Sequence, residues 1–114
     1  MNTRRAENVR FVDEPIEPVA GTYDTERMAV GEPGLPGEFL WRGRKVVVES
    51  VVKSWRETGP CRHGSGEQYV RKHWYEVLTT EGEVMRLYFD RQARRGQPTG
   101  QRWWLFSVRG AEKV

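Results

Sequence analysis

The fold is decided by the stretch Tyr69-Val-Arg-Lys-His-Trp-Tyr-Glu-Val-Leu-Thr79, followed after three residues by Glu83-Val-Met-Arg-Leu-Tyr-Phe89. In both pieces aromatic and β-branched residues alternate with charged ones, which is typical of strands that bury one face. Glu81-Gly82 lies between the two pieces and predicts a hairpin turn, because glycine takes the positive φ that tight turns require. The sequence therefore predicts two antiparallel neighbours in a β-sheet.

The same pattern extends outward from this hairpin. Further strands are predicted at Phe39–Arg42, Arg44–Trp55 and Arg102–Val108, with a short one at Val9–Val12. In the longest of them the apolar alternation changes parity near Glu49-Ser50, and a β-bulge there would restore the register. Glycine- and proline-rich or polar composition predicts loops at Glu57–Gln68 and Arg91–Gln101.

We predict a mainly β fold, a five-stranded, strongly curved antiparallel sheet or small SH3-like barrel, because a flat sheet of five strands would leave exposed edges. An open, highly twisted sheet is the second possibility. Residues 1–37 are predicted to form an acidic, extended arm that packs across the sheet, and residues 38–110 to form the β domain. Pro15 and Pro18 keep the arm extended, and a short helix is expected after a cap at Asp24 or Thr25.

Length and composition indicate a single domain of 114 residues with a modest core. Residues 1–38 hold four Arg and eight Asp or Glu, a net charge of −4, whereas residues 39–114 hold 15 Lys or Arg and eight acids, a net charge of +7. A basic domain attracts a polyanion at long range, although an ordinary solvated surface accounts for the same charges. The single cysteine predicts a reducing compartment, and we expect a cytoplasmic protein with no signal peptide and no membrane span.

Six pieces of the chain occur in the order found in a known family: Phe11-Val-Asp-Glu-Pro-Ile-Glu, Phe39-Leu-Trp-Arg-Gly-Arg, Val51-Val-Lys-Ser-Trp-Arg-Glu, Tyr75-Glu-Val-Leu-Thr-Thr-Glu-Gly-Glu-Val, Leu87-Tyr-Phe-Asp-Arg and Arg102-Trp-Trp-Leu-Phe. Over most of residues 9–108 the chain resembles a small bacterial family of unknown function. Its members stand alone or form the C-terminal domain of Y-family-polymerase-like proteins of DNA-damage-induced mutagenesis. The resemblance implies the β fold and a link to DNA repair or mutagenesis, and it supplies no catalytic residue.

The strongest functional candidate is a surface on which aromatic residues lie among arginines. The predicted core consists of Tyr75, Val77, Met85, Leu87, Phe89, Trp104 and Phe106, and strand alternation then places Tyr88 and Trp103 on the outside. Exposed rings among guanidinium groups suit single-stranded nucleic acid, because bases stack on the rings while the cations contact phosphates. The predicted nucleic-acid-binding residues are Arg86, Tyr88, Arg91, Arg94, Arg95, Arg102 and Trp103. The alternative is that the rings pack under the N-terminal arm and the arginines are solvated.

Few residues could bind a metal or act as a nucleophile. Cys61, His63 and His73 are the only thiol and imidazole side chains, and their spacing matches no structural zinc motif. Cys61 lies in a predicted loop with no evident residue to orient a base beside it. We therefore predict no metal, no cofactor and no catalytic residue.

The sequence thus predicts a non-enzymatic binding module, in the first instance a nucleic-acid-binding accessory domain linked to DNA repair or mutagenesis. The alternative is a protein–protein interaction module whose aromatic surface is covered by the N-terminal arm or by a partner. No contact with a membrane is expected, and the sequence leaves the oligomeric state open.

Overall fold

A computed structural model describes residues 9–60, 68–91 and 102–110. The described residues form seven strands and one short helix. In chain order these are β1 (Val9–Pro15), β2 (Glu17–Pro18), α1 (Thr25–Ala29), β3 (Glu38–Trp41), β4 (Arg44–Pro60), β5 (Gln68–Thr79), β6 (Val84–Asp90) and β7 (Trp103–Arg109). No helix in these ranges is long and apolar enough to cross a membrane.

The strands form one antiparallel sheet in the order β1-β7-β6-β5-β4-β3-β2, which curls strongly into a half-barrel. The mainly β, curved antiparallel fold is therefore confirmed, whereas the predicted count of five strands is wrong. The two further strands are β1, which runs longer than expected, and β2. Both contain proline, and both are edge strands, where a missing N–H on the solvent side costs no hydrogen bond of the ladder.

The long strand β4 carries the bend of the sheet. Its pairing with β5 shifts register between Val48 and Ser50, so the predicted bulge at Glu49-Ser50 is confirmed. A second shift follows between Val51 and Lys53. The loop predicted at Glu57–Gln68 is wrong at its start, because the ladder with β5 continues to Pro60. The remainder of that loop, residues 61–67, lies outside the described residues.

Ile16 alone joins the two edges of the sheet. Pro15, the last residue of β1, pairs with Trp104 of β7, and Glu17, the first residue of β2, pairs with Leu40 of β3. The N–H of the buried Ile16 donates to the carbonyl of Trp103 at 3.2 Å. The curl of the sheet therefore brings its opposite edges within one residue of each other.

The core lies on the inner face of the curled sheet. Its buried side chains come from β3 to β7 and from the N-terminal segment: Ile16, Leu35, Phe39, Trp41, Val46, Tyr75, Val77, Met85, Leu87, Trp103, Leu105 and Val108. Phe89 packs against this cluster. Five of the seven predicted core residues are thus confirmed, and the other two, Trp104 and Phe106, lie on the opposite face of β7.

The segment that contains α1 covers part of the inner face. The Asp24 carboxylate accepts hydrogen bonds from the N–H groups of Glu26 and Arg27, so the predicted short helix and its cap are confirmed. Leu35 enters the core, and the Tyr75 hydroxyl donates to the carbonyl of Pro33 at 3.4 Å. The proposed division of the chain between residues 37 and 38 stays a prediction.

Candidate nucleic-acid interface

A continuous row of aromatic side chains crosses the outer face of the sheet. Four of them lie directly opposite one another on successive strands, because Trp55 of β4 pairs with Trp74, Trp74 with Tyr88, and Tyr88 with Trp104. Phe106 of β7 and Phe11 of β1 extend the row towards the β1 edge. We call these six residues the aromatic row: Phe11, Trp55, Trp74, Tyr88, Trp104 and Phe106.

The rings of the aromatic row contact one another. Trp55 lies parallel to Trp74, with 5.8 Å between the ring centroids, and Trp74 meets Phe106 edge to face at 5.2 Å. Phe106 in turn meets Phe11 at 5.5 Å. Aromatic pairs of this kind stabilise by roughly 0.5–1.5 kcal/mol each beyond their buried area. The row is therefore a preformed apolar surface rather than a set of separate side chains.

Two rings of the aromatic row are buried, and the other four are accessible to solvent. Tyr88 is 1% exposed, and Trp104 is also buried. Trp55, Trp74 and Phe106 are half-buried, whereas Phe11 is 70% exposed. The accessible rings are therefore those of β1, β4, β5 and the middle of β7, supported by the two buried ones.

Cationic side chains lie over the rings of this face. Lys72 Nζ is 4.7 Å from the centroid of Tyr88, and Lys53 Nζ is 5.4 Å from that of Trp55. The Arg86 guanidinium is 5.6 Å from the Trp55 ring. Contacts of this length are cation–π interactions, worth about 0.5–1 kcal/mol where they are exposed. They hold positive charge beside the accessible rings.

Each of three carboxylates on this face has a local partner. Glu57 accepts from Trp74 Nε1 at 3.0 Å, and Glu76 accepts from Arg86 Nε at 2.9 Å. Asp13 accepts from the Tyr88 hydroxyl at 2.5 Å. Asp13 adopts a φ of 48°, within the register shift between Phe11 and Glu14. This bulge in β1 places a carboxylate over Tyr88.

A second group of cations lies where β6 ends and β7 begins. Arg91 Nε donates to His73 Nε2 at 3.2 Å, and Arg102 Nη1 donates to the carbonyls of Asp90 and Arg91. Burial and the charges of Arg91 and Arg56 hold the pKa of His73 below its ordinary value. A neutral His73 accepts the Arg91 hydrogen bond, which orients the guanidinium at this end of the sheet.

The structure distributes the predicted site residues over different places. Arg86 lies on the outer face beside the aromatic row, and Arg91 and Arg102 lie at the end of the sheet. Tyr88 has the predicted outward orientation but is covered by its aromatic neighbours. Arg94 and Arg95 lie outside the described residues.

The predicted outward orientation of Trp103 is wrong. Trp103 is 5% exposed and packs in the core against Tyr75 and Phe89. Arg86 pairs with Ser107 and Leu87 with Leu105, so Phe106 is an extra residue in β7. This bulge reverses the parity counted back from Val108 and exchanges the faces of Trp103 and Trp104.

Sequence reasoning missed Trp55 and Phe11 as members of the outer face. The usable signal was the series Lys53, Trp55 and Glu57, in which charged residues flank a tryptophan at strand spacing. The second register shift in β4 makes this series face outward. Phe11 gave no comparable signal, because its neighbours in sequence are not its neighbours on the face.

The residues considered for metal binding do not assemble in the part of the chain that the structure describes. Within those residues, no three His, Cys, Asp or Glu side chains come together as metal ligands. His73 is buried, and its Nε2 accepts the hydrogen bond from Arg91. Cys61 and His63 lie outside the described residues.

Comparison with known proteins identifies the family alone. No curated protein matches the chain, and no solved structure matches it. A family model does match, over residues 1–110, and its description is a domain of unknown function, DUF6504. The chain is therefore a member of the DUF6504 family.

Proposed function

We propose that the protein is a non-enzymatic module that binds single-stranded nucleic acid on the outer face of its sheet. The observation that carries this proposal is the aromatic row, whose accessible rings are flanked by Lys53, Lys72 and Arg86. Bases of a single strand stack on such rings whatever their sequence, and each stacked base contributes roughly 1–3 kcal/mol. Trp55, Trp74 and Phe11 are the proposed stacking residues.

The arrangement of charge supports a path for the phosphates. Arg86 and Arg109 flank a shallow depression of about 150 Å³ beside Phe11. Lys53 and Lys72 continue the positive charge across β4 and β5 on the same face. Phosphates that bind these cations release counterions, so the affinity for nucleic acid falls steeply as the salt concentration rises. The resemblance to the C-terminal domain of Y-family-polymerase-like proteins favours DNA by analogy.

Binding of a labelled oligothymidylate, followed by fluorescence anisotropy at two salt concentrations, tests the proposal. We expect Trp55→Ala and Phe11→Ala each to weaken binding by about 5- to 100-fold, since each removes one stacking ring. Tyr23→Ala, which removes an exposed ring remote from the row, is the matched control and should leave affinity unchanged. Absence of binding at low salt, or affinity that does not depend on salt, would refute the proposal.

A protein partner on the same face is the second candidate, and the carboxylates favour it. Asp13, Glu57 and Glu76 offset much of the positive charge around the aromatic row, and a surface of balanced charge with central tryptophans is typical of protein interfaces. A photoreactive phenylalanine at position 11 that cross-links a protein in cells, with no oligonucleotide binding in vitro, would favour this candidate.

A further inference from the structure

A second surface lies on the inner side of the sheet, away from the aromatic row. Between the α1 segment and the ends of β6 and β7 there is an apolar pocket of about 660 Å³. Phe89 and Trp103 form its base, and Ile16, Met28 and Pro33 line its walls. Pockets of this size are large enough to enclose a bulky side chain or a small ligand.

Exposed apolar side chains continue this surface beyond the pocket. Tyr23 and Met28 stand at its rim, with Met28 54% exposed. Val30, at the end of α1, is 74% exposed. Exposed apolar side chains grouped at a pocket mark a site of contact with another molecule. Because the apolar surface extends outside the pocket, it fits an extended chain better than a compact small molecule.

One wall of the pocket, formed by the segment from residue 17 to residue 33, carries a charge that favours a cationic partner. Between residues 17 and 33 the chain holds four carboxylates and one Arg, a net charge of −3 in a protein of net charge +3. Glu17 and Glu26 are exposed and form no ion pair with the residues that the structure describes. Glu32 contacts Arg27 at 3.3 Å and Arg56 at 3.7 Å. Nucleic acid would be repelled from this wall, whereas a cationic chain would be attracted.

One cation in the pocket has its own partners. Arg102 lines the pocket and directs Nη1 to the carbonyls of Asp90 and Arg91, at 3.3 and 2.6 Å. Its guanidinium is therefore held on backbone carbonyls at the β6–β7 side of the pocket. A bound chain would place its own cations towards Glu17, which lines the pocket, and its apolar side chain against Phe89 and Trp103.

We propose that this pocket and its rim are a docking site for a basic peptide segment of a partner protein, one bulky apolar side chain of which enters the pocket. This inference does not depend on the proposed nucleic-acid site, since the two surfaces share no residue and have opposite charge. Together they would make the protein an adaptor with a nucleic acid on one face and a protein on the other.

Selection from a phage-displayed random peptide library tests the docking site. The bait is the full chain, and the counter-bait is the double variant Glu17→Lys, Met28→Ser. The matched control is Glu49→Lys, Val52→Ser, since Glu49 is also an exposed carboxylate and Val52, like Met28, is 54% exposed. Thermal unfolding establishes that all three proteins are folded.

We expect selected peptides in which Lys or Arg flanks a bulky apolar residue. They should bind the wild type and the control variant at least about tenfold more tightly than the Glu17→Lys, Met28→Ser variant, a difference of about 1.4 kcal/mol. Their addition should shift the amide resonances of Tyr23 and Met28.

Three outcomes would overturn the inference. The first is selection of acidic peptides, or equal binding by the wild type and the Glu17→Lys, Met28→Ser variant. The second is a set of shifted resonances confined to the outer face. The third is a concentration-dependent dimer that shifts the resonances of Tyr23 and Met28, since the occupant would then be a second copy of this chain.

Discussion

Among single residues, Glu14 ties the first strand of the sheet to a turn far along the chain. Its Oε1 accepts hydrogen bonds from Trp41 Nε1 at 2.8 Å and from Arg42 Nε at 2.9 Å, and its Oε2 accepts from Arg42 Nη2 at 2.7 Å. These bonds, first that to Arg42 and then that to Trp41, lower the pKa of Glu14 from 4.5 to about 2.

The pH dependence of stability follows from this shift. A lowered pKa in the folded state means that Glu14 contributes stability above pH 4.5, and that the contribution is lost as pH falls from 4.5 to about 2. We expect Glu14→Gln to unfold at lower urea concentration than the wild type at pH 7, and the difference to shrink across this window. Urea titrations at several pH values, followed by tryptophan fluorescence, measure it.

The control for this prediction is Glu49→Gln. Glu49 is exposed and forms no hydrogen bond or ion pair with the described residues. Its replacement should leave the pH dependence of the wild type intact. A Glu14→Gln protein with the wild-type profile between pH 2 and 5 would show that the contacts with Trp41 and Arg42 contribute nothing to stability.

Tyr88 illustrates a polar contact that supports an apolar surface. It is buried in the aromatic row, and its hydroxyl donates to Asp13. We predict that Tyr88→Phe lowers the free energy of unfolding by about 1–3 kcal/mol, because the bond to a carboxylate is lost in a buried setting. Chemical denaturation measures this, with Tyr23→Phe, at an exposed tyrosine, as the matched change. Equal stability of the two variants would contradict the prediction.

At the scale of elements, β4 and β7 each contribute side chains to both faces of the sheet, and the two faces should contribute differently to the free energy of unfolding. Leu105 is fully buried in the core, so we expect Leu105→Ala to cost roughly 2–5 kcal/mol of unfolding free energy. Trp55 is half-buried on the outer face, and its removal should cost only about 1 kcal/mol, mainly the contact with Trp74. Denaturation curves of the two variants compare them, and the reverse order would contradict the assignment of the faces.

The alternation of residues predicted where strands occur better than which way they face. The hairpin around Gly82 and the bulge after Val48 were predicted from local sequence, because turn chemistry and a change of parity are local signals. The extra residue at Phe106 was not predicted, since a bulge in β7 exists only relative to its partner β6. Of the predicted interface residues, Arg86 lies beside the aromatic row, and the wrong tryptophan was chosen at positions 103 and 104.

At the scale of the whole molecule, the N-terminal segment is part of the sheet and of its core. β1 covers the edge of β7, and Ile16 and Leu35 fill the core. Predicting how the sheet curls would have required the knowledge that β1 and β7, from opposite ends of the chain, pair with each other. Local patterns carry no such information, and Pro15 and Pro18 predicted an extended arm beyond a short strand at Val9–Val12.

Removal of this segment should therefore prevent folding. A fragment of residues 38–110 would lose Ile16 and Leu35 from the core and expose the unpaired edge of β7. We expect it to aggregate or to show the poorly dispersed amide resonances of an unfolded chain, whereas the full chain gives a dispersed spectrum. A fragment that unfolds cooperatively at the temperature of the full chain would establish residues 38–110 as an autonomous domain.

The pairing of Val9 with Arg109 also determines how the molecule responds to force. These residues are adjacent partners on antiparallel strands, so a load applied between them peels β1 from β7 one hydrogen bond at a time. Strands loaded along their length resist together, whereas peeled strands yield in sequence at low force. Tension applied at Val9 and Arg109 would thus remove β1 first and separate the sheet edges that Ile16 joins before the rest of the sheet is strained. Without tension, the closeness of Val9 and Arg109 allows the domain to be inserted into a surface loop of another protein without separating the two ends of that loop.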